Sequence, residues 1–418
     1  MSSALGALIG LIVSIILIVR KISPVYSLII GAVVGGLLGG LNLVETVDAM
    51  IAGVKDIVPA ILRILTAGVL SGVLIKTGAA ASISHTIIHK LGEKHVYLAL
   101  ALSTMLLTAI GVFIDVAVIT VAPVALMVGH KLSIPKLKLL LVMIGGGKCG
   151  NIISPNPNTI IAAENFGAPL PSVMFVNIVP AIIGLLITVY LIARIVPSKG
   201  ELVTDAGNEN ETGQKDLPSF AVSMVAPIVA IVLLALRPLF GIVIDPLIAL
   251  PIGGLSGIIA MRKWKDLAPG MVYGLEKMSV VAVLLVGTGT IAGIIKISSM
   301  KDVIIDTLAY WQMGETFIAP VAGALMSAAT ASTTAGATIA SASFARTILA
   351  AGVSAVWGAA MTNSGATILD HLPHGSFFHA TGGSVEMKMK ERLKLIPYES
   401  LIGIILALGT MLGFMIAG

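Results

Sequence analysis

Polar residues and prolines interrupt an apolar stretch at Ser154-Pro155-Asn156-Pro157-Asn158-Thr159. Each proline removes a backbone donor and disfavours helix at the residue before it, so a membrane helix here must break into two half-helices. Within a membrane, non-helical backbone is tolerated where it lines a protein cavity. We therefore expect a substrate to contact Ser154, Asn156, Asn158 and Thr159; an extramembrane loop is the alternative interpretation.

A similar polar run occurs in the second half of the chain. GAAMTNSGATI (358–368) resembles GNIISPNPNTI (150–160), with glycine, a hydroxyl residue and Thr-Ile at corresponding places. The similarity predicts a second broken helix. Its expected substrate-binding residues are Thr362, Asn363 and Ser364, and His371 beyond them.

A third polar group, Ser332-Thr333-Thr334, lies in the run MSAATASTTAGATIASASFAR (326–346). Hydroxyl groups and helix N-termini suit a carboxylate ligand, so we expect these three residues to bind substrate. Close packing between helices also uses small residues and is the alternative.

Asp115 is the single ionisable residue in LLTAIGVFIDVAVITVAP (106–123). A carboxylate in mid-membrane costs about 2.5–3.5 kcal/mol on insertion scales and indicates a functional site. Because burial favours the protonated acid, we expect Asp115 to carry a coupling proton. A structural ion pair with Arg63 or Lys148 is the alternative, and Lys148 is equally suited to attract an anionic substrate.

Asp370, His371 and His374 form a D-H-x-x-H pattern that resembles part of a metal site. The sequence offers no evident third ligand and no HExxH motif, so we expect neither a metal nor another cofactor. An intramembrane metal enzyme using these residues is retained as a competing hypothesis. No Walker A sequence is present, and ATP-driven transport therefore finds no support.

Composition places these residues in a membrane protein. Hydrophobic residues make up 57% of the 418 residues and charged residues 11%, against about 25% charged in soluble proteins. The net charge of +5 includes no basic block of five or more, which argues against a nucleic-acid partner. The expected partners are membrane lipid and a small anionic substrate.

The apolar segments predict ten spans of about 20 residues each. These begin near Leu5, Tyr26, Ile57, Leu137, Pro171, Phe220, Leu239, Met278, Thr347 and Ser400. Two further stretches, 95–129 and 315–346, are too long for one crossing and too short for two, which predicts re-entrant hairpins. The broken helices are expected at about 137–165 and 347–373.

Basic residues predict the orientation, because cytoplasmic loops collect Lys and Arg. With both hairpins entering and leaving on one side, 19 of the 26 basic residues fall on one face and five on the other. The remaining two, Arg63 and Lys148, fall inside spans. We expect the first face to be cytoplasmic and both termini extracytoplasmic, in a prokaryotic inner membrane.

The polar segment 197–218 is predicted to be a cytoplasmic linker between a first repeat, 1–196, and a second, 219–418. Each half has five crossings and one hairpin, an odd number of crossings, so the second copy is inserted upside down. Inverted repeats of this kind are typical of secondary transporters with a mid-membrane site. The predicted fold class is therefore all-α with two inverted repeats, and a passive anion channel is the alternative function.

Five stretches resemble the gluconate permease (GntP) family of the ion transporter superfamily. They are KTGAAASISHTIIHKLGEKH (76–95), FIDVAVITVAP (113–123), SPNPNTIIAAENFGA (154–168), SAATASTTAGATIA (327–340) and DHLPHGSFF (370–378). The resemblance implies proton-coupled uptake of a sugar acid or small hydroxy acid, an elevator-like transport domain and a homodimer. It also implies an acidic residue at Asp115. The chain has Asn156 and His374 where the family usually has His and Asp, and sodium coupling is the alternative to proton coupling.

Overall fold

The computed structural model describes residues 3–197, 200–203, 217–299, 315–373 and 375–417. This part of the chain is helical almost throughout, with one isolated bridge between Pro135 and Leu202. Most of the predicted linker lies outside the described residues, as does His374.

The helices are numbered in chain order. The first half has α1 (Ala4–Val19), α2 (Pro24–Leu38), α3 (Leu43–Lys76), α4 (Ala79–Leu91), α5 (Val96–Ala109), α6 (Ile114–Leu132), α7 (Lys136–Asn151), α8 (Pro157–Phe166), α9 (Leu170–Val176), α10 (Ile178–Ile187) and α11 (Ala193–Ile195). The second half has α12 (Phe220–Ser223), α13 (Val225–Phe240), α14 (Pro246–Met261), α15 (Leu267–Lys296), α16 (Ile318–Thr330), α17 (Thr333–Ala350), α18 (Ala355–Gly365), α19 (Ser376–Ser384), α20 (Met389–Leu393) and α21 (Ile396–Ala417).

Five helical segments are long and apolar enough to cross a membrane, by length and composition, in the part of the chain that the structure describes. They are Leu43–Lys76, Ile114–Leu132, Leu170–Ile195, Trp264–Lys296 and Met389–Ala417. Six shorter apolar helices accompany them. The expected all-helical architecture with apolar helices is thereby confirmed.

Several predicted boundaries are wrong, for local reasons. The span expected near Ile57 belongs to α3, which begins at Leu43 because Asn42 and Glu45 form a capping box there. Because the first turn of α3 is polar, the apolar run in the sequence begins later than the helix does. Residues 79–91, which lie between the predicted span near Ile57 and the first predicted hairpin, form α4, which follows the left-handed turn at Gly78 (φ 77°).

The two long helices α3 and α15 pack antiparallel along their length, with glycines at the contact. A Cβ atom on Gly53 would lie 2.1 Å from the Gly289 carbonyl oxygen, and one on Gly72 would lie 1.9 Å from that of Gly270. Backbones approach this closely only where small residues face each other. The pair therefore forms a closely packed unit, which α2, α14 and α17 contact.

Helix pairs occur at both predicted hairpins. Helices α5 and α6 are joined by residues 110–113, with Gly111 at φ 101°, and α16 and α17 by Ala331 and Ser332 alone. Ala331 has φ 48°, a left-handed conformation that is uncommon outside glycine. Each hairpin tip is therefore a short turn, and the second helix of each hairpin begins directly after it.

Two helices are interrupted near the predicted positions. The first break, 152–156, separates α7 from α8, and the second, which includes residues 366–373 and Gly375, separates α18 from α19. Pro155 and Pro157 explain the first. The expectation that Thr362, Asn363 and Ser364 lie within a break is wrong, because no proline precedes them and α18 continues to Gly365.

Each half thus contains, in the same order, a long helix, a helix pair and an interrupted helix. These are α3, α5–α6 and α7–α8 in the first half, and α15, α16–α17 and α18–α19 in the second. Helix α7 is buried along its whole length, and Gly146 and Gly150 lie against the backbone of α5. The interrupted helices are consequently held in the protein interior.

Candidate functional site

A cavity of about 430 Å³ lies between the two hairpin tips, the second break and α15. Its volume is in the range of small-molecule sites. The first hairpin contributes Phe113, Ile114 and Asp115; the second contributes Ala331, Ser332, Thr333 and Thr334; and the interrupted helices contribute Asn151, Asp370, Ser376 and Phe377. The wall on α15 consists of Glu276, Lys277, Val280 and Val281.

Three helices begin at this cavity. Their first residues are Ile114 of α6, Thr333 of α17 and Ser376 of α19, and all three line it. The first N–H groups of a helix have no partner within the helix, and the helix dipole is positive at that end. Three helix N-termini at one cavity favour negative charge there, and Asp115 already accepts an N–H of one of them.

The predicted substrate-binding residues Ser332, Thr333 and Thr334 all line this cavity. Ser332 caps α17, since its hydroxyl accepts from the Ala335 N–H. The Thr333 hydroxyl donates to Asp370 Oδ2 at 2.5 Å. The second tip thus presents hydroxyl groups and a helix N-terminus together.

Asp115 also lines the cavity, in the first turn of α6. Its Oδ1 accepts from the Val116 N–H at 2.9 Å. Among the described residues it forms no ion pair. The carboxylate therefore faces the cavity at a helix N-terminus, with no basic side chain bonded to it among the described residues.

Arg63 does not serve as the partner of Asp115. Its guanidinium binds both carboxylate oxygens of Asp245 and also pairs with Glu164. Arg63 lies on α3, Asp245 caps α14 and Glu164 lies on α8. The residue therefore ties an interrupted helix to the long-helix unit at a position outside the cavity.

Lys148 has a different partner as well. Its Nζ lies 2.6 Å from Asp370 Oδ1, 2.5 Å from the Thr367 carbonyl oxygen and 3.0 Å from His371 Nδ1. The side chain is fully buried. The alternatives of pairing with Asp115 or contacting the substrate are replaced by this buried cluster.

His371, expected to contact the substrate, belongs to the same cluster and is fully buried. Its Nε2 lies 3.0 Å from the Ile396 carbonyl oxygen and its Nδ1 4.0 Å from Glu399. Glu399 in turn pairs with buried Arg392. The cluster thus contains two basic side chains, Lys148 and Arg392, and two acidic ones, Asp370 and Glu399, which pair with one another as buried charges require.

The polar residues of the two interrupted helices mostly bind one another. Asn158 Nδ2 donates to Asn363 Oδ1 at 2.7 Å, and Asn363 Nδ2 donates to Thr159 Oγ1 at 3.1 Å. Thr159 Oγ1 donates to Asn156 Oδ1 at 3.0 Å. These buried side chains join the two halves of the protein and do not line the cavity; neither does Ser364.

Ser154 and Thr362 occupy corresponding places in the two similar runs. Both are fully buried, and within the described part of the chain neither hydroxyl has a hydrogen-bond partner. Buried hydroxyl groups are nearly always paired. Ser154 lies in the first break, whereas Thr362 lies in the last turn of α18, just before the second break.

Asp370 and Asn151 are cavity residues that the sequence prediction missed. Asp370 was considered only as part of a metal pattern. It is instead bonded to the ammonium of Lys148. No group of three or more His, Cys, Asp or Glu side chains suited to a metal ion occurs among the residues described, from which His374 is missing.

Comparison with known proteins identifies the family. The family model described as GntP family permease matches residues 3–412, nearly the whole chain. The chain belongs to the GntP permease family. The resemblance inferred from its motifs is thereby confirmed.

Relatives of the permease differ in how much of it they match. An uncharacterized transporter of Haemophilus influenzae is 55% identical over 412 residues, covering 99% of this chain and 98% of its own. A high-affinity gluconate transporter of Escherichia coli K12 is 25% identical over 205 residues, or 46% of this chain and 44% of its own. A gluconate permease of Pseudomonas aeruginosa is 26% identical over 223 residues, or 51% and 46%.

The fold of the permease also has a relative among solved structures. The YdaH transporter of Alcanivorax borkumensis has a TM-score of 0.63 at 15% identity, over 90% of this chain and 88% of that one. At this identity the likeness concerns the fold. The family match makes the chain a multi-pass membrane transporter and not an enzyme.

Proposed function

We propose that this permease is a secondary active symporter that takes up gluconate or a related small hydroxylated carboxylate together with a proton. The carrying observation is the convergence of three helix N-termini on one cavity of about 430 Å³. They favour a carboxylate, and the hydroxyl groups of Ser332, Thr334 and Ser376 suit the hydroxyl groups of a sugar acid. The gluconate transporters among its relatives support this substrate class.

The charges around the cavity support coupling to a cation. Its walls contain the carboxylates of Asp115, Glu276 and Asp370 and one ammonium, that of Lys277. Lys148 offsets Asp370 from beneath the cavity, which leaves one negative charge in excess. A bound carboxylate adds a second, so substrate binding is favoured when Asp115 takes up a proton.

Two cavities of similar size support alternating access by an elevator-like movement. The first lies beside Glu276 and Val281 of α15; the second, of about 410 Å³, lies beside Ile295 and Lys296 and also contacts Asn165 of α8. Lys277 and Ile295 are about 27 Å apart along a helix that rises about 1.5 Å per residue. In this proposal α3 and α15 belong to the fixed scaffold, and the hairpins and interrupted helices move along it as the transport domain.

The orientation follows from the same proposal. The first cavity lies in the half of α15 nearer Arg262, Lys263 and Lys265, on the basic face proposed as cytoplasmic. The structure then represents an inward-facing state, with both termini extracytoplasmic and the two halves as inverted repeats in a prokaryotic inner membrane. A fixed scaffold favours a homodimer, in which α3 and α15 of each subunit are anchored.

Uptake into proteoliposomes tests this function. With an inward proton gradient, we expect saturable accumulation of gluconate or glycerate that an uncoupler abolishes, whereas hexanoate, a carboxylate without hydroxyl groups, is excluded. Empty liposomes and a zero-gradient series are the controls. Absence of uptake for every hydroxylated acid tested, by protein that is folded and reconstituted, contradicts the proposed function.

Sodium coupling is a second candidate, favoured by Ser154 and Thr362. Their buried hydroxyl groups lack partners among the described residues and lie in corresponding segments of the two halves. Hydroxyl and carbonyl oxygens at broken helices are suitable sodium ligands.

Sodium coupling predicts that Ser154→Ala and Thr362→Val each lower the apparent sodium affinity of uptake about tenfold or more, because each removes an oxygen from a buried cation. Uptake is measured as sodium replaces choline at fixed pH. Thr338→Val is the matched control, since Thr338 is a buried hydroxyl without a described partner that lies well inside α17, away from the ends of the interrupted helices. Uptake independent of sodium in the parent protein rejects this candidate and leaves proton coupling.

A further inference from the structure

Asp370 connects the buried cluster to the tip of the second hairpin. Its two carboxylate oxygens have different partners: Oδ1 accepts from Lys148 Nζ at 2.6 Å, and Oδ2 accepts from Thr333 Oγ1 at 2.5 Å. Asp370 is 2% exposed, yet it also lines the cavity. The carboxylate therefore lies between a fixed cation and the first residue of α17.

Lys148 is fixed in place by its surroundings. An ammonium group has three protons, and three close acceptors surround this one: Asp370, the Thr367 carbonyl and His371 Nδ1. The helix that carries it, α7, is buried throughout. Lys148 consequently acts on the cavity through Asp370 and not by direct contact with a ligand.

The tip that Asp370 contacts is short and rests on the second break. Its turn consists of Ala331 and Ser332, and a Cβ atom on Gly375 would lie 2.4 Å from the Ala331 carbonyl oxygen. This backbone contact brings the tip and the break together. The hydrogen bond from Thr333 to a charged acceptor strengthens that contact, because bonds of this kind are about twice as strong as neutral ones.

We infer that Asp370 is a positioning residue of this transporter: fixed by Lys148, it holds the second hairpin tip against the cavity through the Thr333 hydroxyl. The inference deepens the proposed function, since this tip is one of the walls that enclose the substrate. It also gives Lys148 an indirect role, which is to hold Asp370 in place without contacting the substrate.

A cysteine reporter on the tip tests the inference in substrate-free protein. The one native cysteine, Cys149, is fully buried, so Thr334→Cys introduces a single accessible thiol at the cavity. Its rate of alkylation by a maleimide measures how often the tip leaves its place. In this background we expect Thr333→Val to raise the rate about tenfold or more, because it removes a hydrogen bond to a charged acceptor.

Two variants separate positioning from general loosening. Thr333→Ser restores the donor and should return the rate to within about twofold of the reporter alone. Thr330→Val removes a hydroxyl of the same tip that bonds only within the hairpin, to the carbonyl oxygens of Met326 and Ser332, and should leave the rate unchanged. A third, the double variant Lys148→Met/Asp370→Asn, removes the acceptor charge without stranding its partner and should accelerate alkylation less than Thr333→Val does, because the asparagine oxygen still accepts a neutral hydrogen bond.

An unchanged alkylation rate in Thr333→Val, or an equal increase in Thr330→Val, overturns the positioning role. The assay contains no substrate, so its outcome is independent of the uptake experiment. If no hydroxy acid is transported while the reporter responds as expected, the proposed substrate class fails and the positioning of the tip by Asp370 stands.

Discussion

Asp115→Asn is expected to abolish proton-driven accumulation while substrate exchange continues. The carboxylate lines the cavity at the N-terminus of α6 and forms no ion pair among the residues described, and in the proposed function it takes up the coupling proton. Asparagine has nearly the same shape, and its carbonyl oxygen accepts the Val116 N–H as the carboxylate does. It resembles the protonated acid permanently, so substrate still binds and crosses but carries no proton.

The expected magnitude follows from the gradient. One pH unit is about 1.4 kcal/mol, which supports about tenfold accumulation when one proton accompanies each substrate molecule. In Asp115→Asn this ratio should fall to about one, with counterflow of labelled substrate retained. The accumulation ratio and the counterflow are measured in the same proteoliposomes, with and without an imposed proton gradient.

Asp48→Asn is the matched control for this experiment. Asp48 is an exposed carboxylate of α3 that does not line the cavity, so its loss changes the net charge of the protein equally. It should accumulate substrate as the parent does. Accumulation by Asp115→Asn at the parent level rules out the coupling role, and loss of both accumulation and exchange points to a binding role instead.

The sequence predicts the elements of this fold better than their ends. Apolar runs and the prolines at 155 and 157 determine where helices cross and where one breaks, and these are local properties. The start of α3 depends on the capping pair Asn42 and Glu45, which lies in a polar turn. Helix α4 depends on burial against neighbouring helices, and periodicity alone does not distinguish it from a loop.

The site shows a similar division. The hydroxyl residues 332–334 and Asp115 line the cavity because each group lies at the turn of a hairpin. The sequence indicates these two places by a run of small hydroxyl residues and by a lone carboxylate. The partners of Arg63 and Lys148 were not predictable, since they come from residues about 100 or more positions away in the chain. A count of basic residues inside spans identifies charges that need compensation, but only packing determines which acidic residue provides it.

The asparagine-containing segments show the same limit of sequence-based prediction, in this case for residues predicted to bind substrate. The sequence predicts Asn158 and Asn363 as substrate ligands because they lie in polar runs that are expected to break a membrane helix and line a cavity. In the structure they find those partners in each other, across the two halves. The similarity of the two segments therefore indicated that they contact each other. The residue types alone did not indicate whether their side chains line the cavity.

The buried pair of Lys148 and Asp370 leads to the largest expected change in stability. Both side chains are essentially inaccessible to solvent, at 0% and 2% exposure. Removing one member of such a pair leaves an uncompensated charge and costs about 3–5 kcal/mol of unfolding free energy. We expect this loss in Lys148→Met, measured by denaturation of the detergent-solubilised protein and followed by circular dichroism.

Replacement of both members should recover most of that loss, because Lys148→Met/Asp370→Asn leaves no isolated charge in the interior. A surface pair provides the control: Lys296 and Asp56 lie 2.7 Å apart but are 37% and 56% exposed, so Lys296→Met should change stability by less than about 1 kcal/mol. If Lys148→Met is as stable as Lys296→Met, the buried cluster does not depend on its charge balance. If the double variant is no more stable than the single one, Lys148 contributes through packing and its other acceptors, Thr367 and His371, and not through Asp370.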